Sequence, residues 1–198
     1  MARRREHTLE QIKEMIILAT ENIILNEGLE ALTARKIALD IGYTVGSIYM
    51  VFENMQELMM HVNARALQQL SLYLQNGLEE TSSEKRLKQL AKNYLQFALA
   101  NANRWRILFA TQNLGKSAWP IWYTQYIDSV FVPIEQSIAH LNPETDNQQL
   151  SFAAKSFWAG MHGVCLLTVN GYFHNQAIEN SEAALDFFVD NFVQGLKP

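Results

Sequence analysis

Hydroxyl groups and a gap in side-chain bulk come together between Thr33 and Asn54. Thr44, Ser47 and Tyr49 each carry a hydroxyl, and Val45 and Gly46 are the small residues among them. Hydroxyls donate to phosphate oxygens or base edges, and small side chains let a helix lie close to a groove. Arg35, one short segment earlier, adds a guanidinium suited to the same acceptors. Other chemistry is poorly served. The five histidines, His7, His61, His140, His162 and His174, show no metal-ligand spacing, and Cys165 is the single cysteine. That excludes an internal disulfide or a cysteine-rich zinc site and fits a reducing cytoplasm. There is no His-Glu-x-x-His and no Gly-x-Ser-x-Gly, and Gly42-x-x-x-Gly46-Ser47 lacks the lysine a phosphate loop requires. The expectation is therefore no enzyme, no cofactor and no metal. Nothing basic neighbours Cys165 in sequence, so a redox thiol is not expected.

The elements that must position these groups are helical. Leu9, Ile12, Ile16, Ala19 and Ile23 recur at steps of three or four, and Gly28 stops that helix. Thr33 caps a short helix closed by Gly42, and Thr44 caps a second, from Val45 to about Phe52. Two short helices joined by a glycine turn outline a helix-turn-helix, with Ile37, Ala38, Ile41, Tyr43, Ile48 and Phe52 packing the pair against the first helix. Asn54 opens a long amphipathic run, and further helices follow from Leu87, from Trp105, from Trp119 with Pro133 inside, from Asp146 and from Ser181. No alternating strand pattern of useful length and no internal repeat occur. The class is all-α, with about nine helices.

The stretch Thr33, Arg35, Ile37, Ala38, Gly42, Gly46, Ser47, Ile48, Tyr49, Phe52, Glu57 and Leu58 resembles the DNA-binding domain of the tetracycline-repressor family of bacterial transcription regulators. The resemblance implies a helix-turn-helix domain over residues 1–53 and a helical effector-binding and dimerisation domain over 54–198. It places Thr33, Arg35, Thr44, Val45, Gly46, Ser47, Tyr49 and Met50 on double-stranded DNA. The chain departs from the family at Met55, where a phosphate-binding lysine is usual, and at Met50 and Val51, where aromatic residues or histidine are common. The implied function is a repressor, released by a small molecule, that binds a palindromic operator as a homodimer. A helical small-molecule or lipid-binding module without DNA function is the alternative, but it leaves the Thr33–Phe52 pattern unexplained.

Charge bears on how DNA would be held. The chain carries a net charge of -4, and residues 1–60 hold six Lys or Arg against nine Asp or Glu. DNA binding must then rest on local placement and on the Arg3-Arg4-Arg5 arm, which can displace counterions. The uncharged run Ser156–Ile178 could span a bilayer by length, but it holds His162, Asn170, His174, Asn175 and Gln176, so no membrane span is expected.

Aromatic residues crowd the later chain, and all four tryptophans lie there. Tyr94, Phe97, Trp105, Phe109, Trp122, Tyr126, Trp158 and His162 are the candidate lining of a pocket for a small apolar or aromatic effector. Arg104 and Arg106 are the arginines expected near it, too few for a strongly anionic ligand. Trp158-x-x-x-His162-Gly163 is similar to a Trp-His-Gly subfamily of the same regulators, and Gly163 is expected to let another helix come close. Only 18% of residues are charged, against about 25% in typical soluble domains, so a partner or a ligand is expected to cover some apolar surface. Phe157, Met161, Val164, Leu185, Phe188 and Phe192 are the candidate dimer interface.

Overall fold

The computed structural model describes the backbone of residues 7–78, 82–110, 119–172 and 177–196, and their side chains apart from 109, 110 and 177. Among the described residues there are nine α-helices, a short 3-10 turn at Leu29–Ala31 and no strand. The helices are α1 (Leu9–Glu27), α2 (Ala34–Asp40), α3 (Val45–Val51), α4 (Met55–Leu74), α5 (Ser83–Ala100), α6 (Ala102–Ala110), α7 (Ile121–Leu141), α8 (Asn147–Val169) and α9 (Ala177–Leu196). The expected Arg3-Arg4-Arg5 arm, His174 and the Phe109 side chain lie outside the described residues.

Packing divides the chain into two compact units. One comprises the described residues up to Ala66 together with those from Asn103 to Tyr123; the other comprises Leu67–Ala102 and the residues from Thr124 onward. Helix α4 contributes its first half to one and its second half to the other.

In the first unit, α1 starts at a capping box: the Gln11 amide donates to Thr8 Oγ1 at 3.2 Å, and the Thr8 amide donates to Gln11 Oε1 at 2.8 Å. Reciprocal satisfaction of two orphan donors fixes the helix start. Gly28, at φ 87°, ends it in a conformation that side chains resist. Ile12, Ile16, Ala19 and Ile23 are buried as the periodicity requires, whereas Leu9 is exposed. Ile17 and Ile24 join the core, so the buried stripe is wider than one row. Ile37, Ala38, Ile48 and Phe52 close it from α2 and α3, and Ile41 and Tyr43 pack at its edge. Leu58, Met59 and Val62 of α4 and Ile107 of α6 belong to this same core. The packing unit therefore runs past the boundary expected at 53/54.

In the second unit, α8 and α9 pack on each other and both pack on α5. Ala154, Phe157, Met161, Cys165 and Thr168 form the inner stripe of α8, and Leu185, Val189 and Val193 that of α9. The Thr168 and Ser181 hydroxyls meet at 2.6 Å where these helices converge. This packing corrects the interface read from sequence. Phe157, Met161 and Leu185 are fully buried within the chain's own fold, so no partner reaches them. Val193 is also core. Phe188 and Phe192 are half-buried and enclose Phe157, with ring centroids 5.5 and 5.1 Å away.

Within the chain, the glycine that permits close approach is Gly160, not Gly163. A Cβ on Gly160 would lie 2.4 Å from the Phe188 ring, whereas one on Gly163 would meet nothing within 4 Å. Gly160→Ala must displace a ring held by Phe157 and Phe192, and we expect a loss of about 1–3 kcal/mol in urea denaturation. Gly163→Ala should be neutral or stabilise by up to about 1 kcal/mol through helix propensity. Equal effects would contradict this assignment.

Candidate functional site

The helix-turn-helix is held by short-range bonds. The Thr33 hydroxyl accepts from the Lys36 amide at 3.1 Å, and the Thr44 hydroxyl accepts from the Ser47 amide at 3.3 Å. Thr44 Oγ1 and Ser47 Oγ also bond at 3.0 Å. Gly42, at φ 71°, makes the turn, and the Tyr43 hydroxyl bonds His7 Nδ1 at 2.8 Å, tying the turn to the chain before α1. With Ile48 and Phe52 turned inward, the opposite side of α3 is left to solvent. Tyr49 is 48% and Met50 51% exposed, Thr33, Arg35, Thr44, Val45 and Gly46 are also exposed, and Ser47 is half-buried. All eight residues singled out from sequence thus lie at or near the surface on α2, α3 and their caps.

Two features of this surface bear on its use. Lys36 is paired with Glu27 and Arg65 with Glu14, whereas Arg35 makes no ion pair among the described residues. A Cβ on Gly46 would meet only Thr44 Oγ1, at an ordinary 3.6 Å. The fold itself therefore does not require a glycine at position 46.

The residues expected to line one effector pocket are divided between the two packing units. Trp105 and Trp122 belong to the first unit; Tyr94, Phe97, Tyr126, Trp158 and His162 belong to the second. Trp105 is buried. Trp122 stacks on His61 with centroids 4.4 Å apart, and His61 meets the edge of Phe52 at 5.5 Å. Burial, reinforced by the like charge of Lys13, pushes the His61 pKa down. Sequence reasoning gave His61 no role; its position on α4 beyond Phe52 was the available signal.

In the second unit the structure does join Tyr94, Trp158 and His162. The Tyr94 hydroxyl bonds His162 Nδ1 at 2.9 Å, and the Trp158 and His162 rings stack at 5.0 Å. Phe131 packs edge-on against Trp158 at 5.8 Å. Burial lowers the His162 pKa and pushes the Cys165 thiol up to about 12, which suits an inert core thiol. Phe97 faces Tyr73 instead, at 5.7 Å. Tyr126 is half-buried, and its carbonyl accepts from the Ser129 hydroxyl at 2.7 Å. Elsewhere in this unit a cavity of about 360 Å³ opens between α4, α5 and α7, with Arg86 in its wall. Sequence reasoning passed over Arg86, although it continues the stripe Leu90, Asn93 and Phe97 at steps of four, three and four.

A helix-turn-helix within an all-helical chain defines the class of protein; comparison with known proteins gives the family. A family model described as tetracyclin repressor-like, C-terminal domain, matches residues 87–192, more than half of the chain. No curated protein matches the sequence. A protein of unknown function from Rhodococcus sp. RHA1 superposes with a TM-score of 0.75 at 18% identity, over 100% of both chains. A tetR-family transcriptional regulator from Streptomyces coelicolor gives 0.66 at 15% identity, over 96% of this chain and 90% of its own. A TetR variant from Acinetobacter baumannii AYE, in complex with minocycline, gives 0.63 at 16% identity, over 91% and 93%. These likenesses share the fold. The chain belongs to the tetracycline-repressor family of DNA-binding transcriptional regulators. No helix among the described residues is long and apolar enough to cross a membrane.

The two half-buried histidines set a pH dependence. Both His61 and His162 have pKa values lowered on folding. As pH falls through about 6.5, the unfolded chain takes up these protons before the folded chain does, so stability is full above that range and drops on acidification. His162→Gln should flatten the fall in melting temperature between about pH 7 and pH 5. An unchanged slope would show that His162 takes no part in it.

Proposed function

We propose that the chain is a ligand-released repressor that binds a palindromic operator as a homodimer. The observation that carries the DNA contact is Gly46: it stands on the exposed side of α3, among Thr44, Val45, Ser47 and Tyr49, where the fold would accept a side chain. A helix that must approach a groove closely supplies the missing reason for a glycine. In this reading Arg35 and Tyr49 contact bases or phosphates, the caps Thr33 and Thr44 add phosphate contacts, and Met50 meets apolar base edges. The Arg3-Arg4-Arg5 arm supplies counterion release that Met55, packed at the core edge, does not.

The functional division follows the expectation of a DNA-binding part over 1–53 and an effector-binding and dimerising part over 54–198. The dimer uses the outer sides of α8 and α9. Phe152 is 74% and Phe187 72% exposed, and Leu166 is also exposed. Ser156, Ala159 and Gly163 fall between Phe152 and Leu166 at steps of three and four, a row of small residues that lets helices meet closely. Val164, Phe188 and Phe192 flank that surface. The effector is a small apolar or aromatic molecule received at Tyr94, Trp158 and His162, and it acts by preferring one spacing of the two DNA-binding parts. The chain acts by binding and not by catalysis.

Gel shifts on the DNA upstream of the chain's own gene test this. Gly46→Ala should keep or raise the melting temperature, since alanine favours helix, while lowering DNA affinity about tenfold or more. Tyr49→Phe should cost about 1 kcal/mol of binding at every sequence, and Arg35→Ala about 1–3 kcal/mol with relaxed preference at one position per half-site. Unchanged affinity in all three would overturn the docking and leave the helical ligand-binding module. For the dimer, Phe187→Glu should sediment as a monomer, because a charge cannot be buried unpaired in an apolar interface. An intact dimer would move the interface elsewhere.

A further inference from the structure

The geometry points to a carboxylate-binding site in the cavity between α4, α5 and α7, with Arg86 as the counter-charge. It is separate from the aromatic cluster and does not rest on the effector reading above. The cavity has a volume of about 360 Å³, within the range of about 300–1,000 Å³ that small ligands occupy. Arg86 enters from the first turn of α5 and is half-buried; its Nε is buried and has no hydrogen-bond partner. Two other cations of α5 show the contrast: Lys88 pairs with Asp190 at 2.5 Å and Lys92 with Asp186 at 3.5 Å. Arg86 makes no ion pair. The Nε donor is shut off from water without a partner, and an anionic ligand would satisfy it and the charge together.

The walls are preformed. Asn93 of α5 donates to the Leu74 carbonyl at 3.1 Å and the Asn76 carbonyl at 2.8 Å, and Gln89 donates to Asn93 Oδ1 at 2.8 Å. These bonds pin the end of α4 and the residues after it to α5, where Gln75 and Leu78 line the cavity. Across it, the Ser71 hydroxyl donates to the Ser129 carbonyl of α7 at 3.1 Å, and Gln75 Nε2 donates to the Ser71 carbonyl at 3.2 Å. Gln136, exposed on α7, leaves its amide for a ligand, and Leu78 and Pro133 offer apolar surface. One planar cation, one free amide and an apolar wall suit a carboxylate on a short hydrocarbon or aromatic body, since guanidinium takes a carboxylate through two parallel bonds.

Thermal shift and calorimetry on the full chain test this with benzoate, hexanoate and decanoate, each beside its neutral amide, and with inorganic phosphate. At least one acid should raise the melting temperature and bind, while its amide, equal in shape, should not. Arg86→Gln should weaken that acid by about ten- to a hundredfold, and Arg86→Lys should retain part of the affinity. The ligand-free Arg86→Gln protein should melt at or above the parent, because no internal partner is lost. Amides binding as well as acids, phosphate binding with no acid binding, no probe binding at all, unchanged acid affinity in Arg86→Gln, or a clear loss of melting temperature in that variant would each overturn the site. Gel shifts without ligand, run on the same protein, report on DNA binding alone and so separate failure of this site from failure of the repressor reading.

Discussion

The helix-turn-helix depends on one apolar contact: the burial of Ile37, Ala38, Ile48 and Phe52 against α1. Helices α2 and α3 have seven residues each. Isolated helices that short do not persist in water, because too few backbone bonds offset the cost of nucleation. Their geometry is borrowed from α1 and from the first half of α4, which complete the core. The side of α3 that faces away from this core is fixed by the same contact. Had Ile48 and Phe52 not been drawn inward, Tyr49 and Met50 would have no defined direction.

Electrostatics then decides how such a surface can work. The first sixty residues are acidic in sum, yet the acids do not neutralise the cations evenly. Glu27 engages Lys36 and Glu14 engages Arg65, while Arg35 at the start of α2 is left alone. Sum of charge is therefore a poor guide to this surface, and placement is a good one. The same rule holds in the second unit, where Lys88 and Lys92 lean on Asp190 and Asp186 while Arg86 meets a cavity.

Much of the fold was legible because its signals are local. Thr33 and Thr44 announce helix starts by side chain alone, Gly28 and Gly42 announce turns, and the spacing of Ile12, Ile16, Ala19 and Ile23 fixes the buried side of α1. Long-range packing was not legible in the same way. A helix apolar over most of its girth offers several stripes, and sequence cannot say which of them its own chain covers. On α8 and α9 the covered stripe is Phe157, Met161, Leu185 and Val193, and Phe152 and Phe187 are left outside. Aromatic residues posed the same problem. Tyr94, Trp158 and His162 converge, but Trp122 goes to His61 and Phe97 to Tyr73. A charged residue in a first helical turn, such as Arg86, reads as solvated, although its register matches the buried stripe.

The central claim is that the outer side of α3, carried twice by a symmetric pair of chains, lies in the grooves of one DNA duplex. Hydroxyl-radical footprinting on the DNA upstream of the chain's own gene measures this most directly. The account predicts two protected patches related by a two-fold axis, on one side of the duplex, that vanish together in Gly46→Ala while that protein remains folded. A single unpaired patch, or protection that survives Gly46→Ala unchanged, would contradict it.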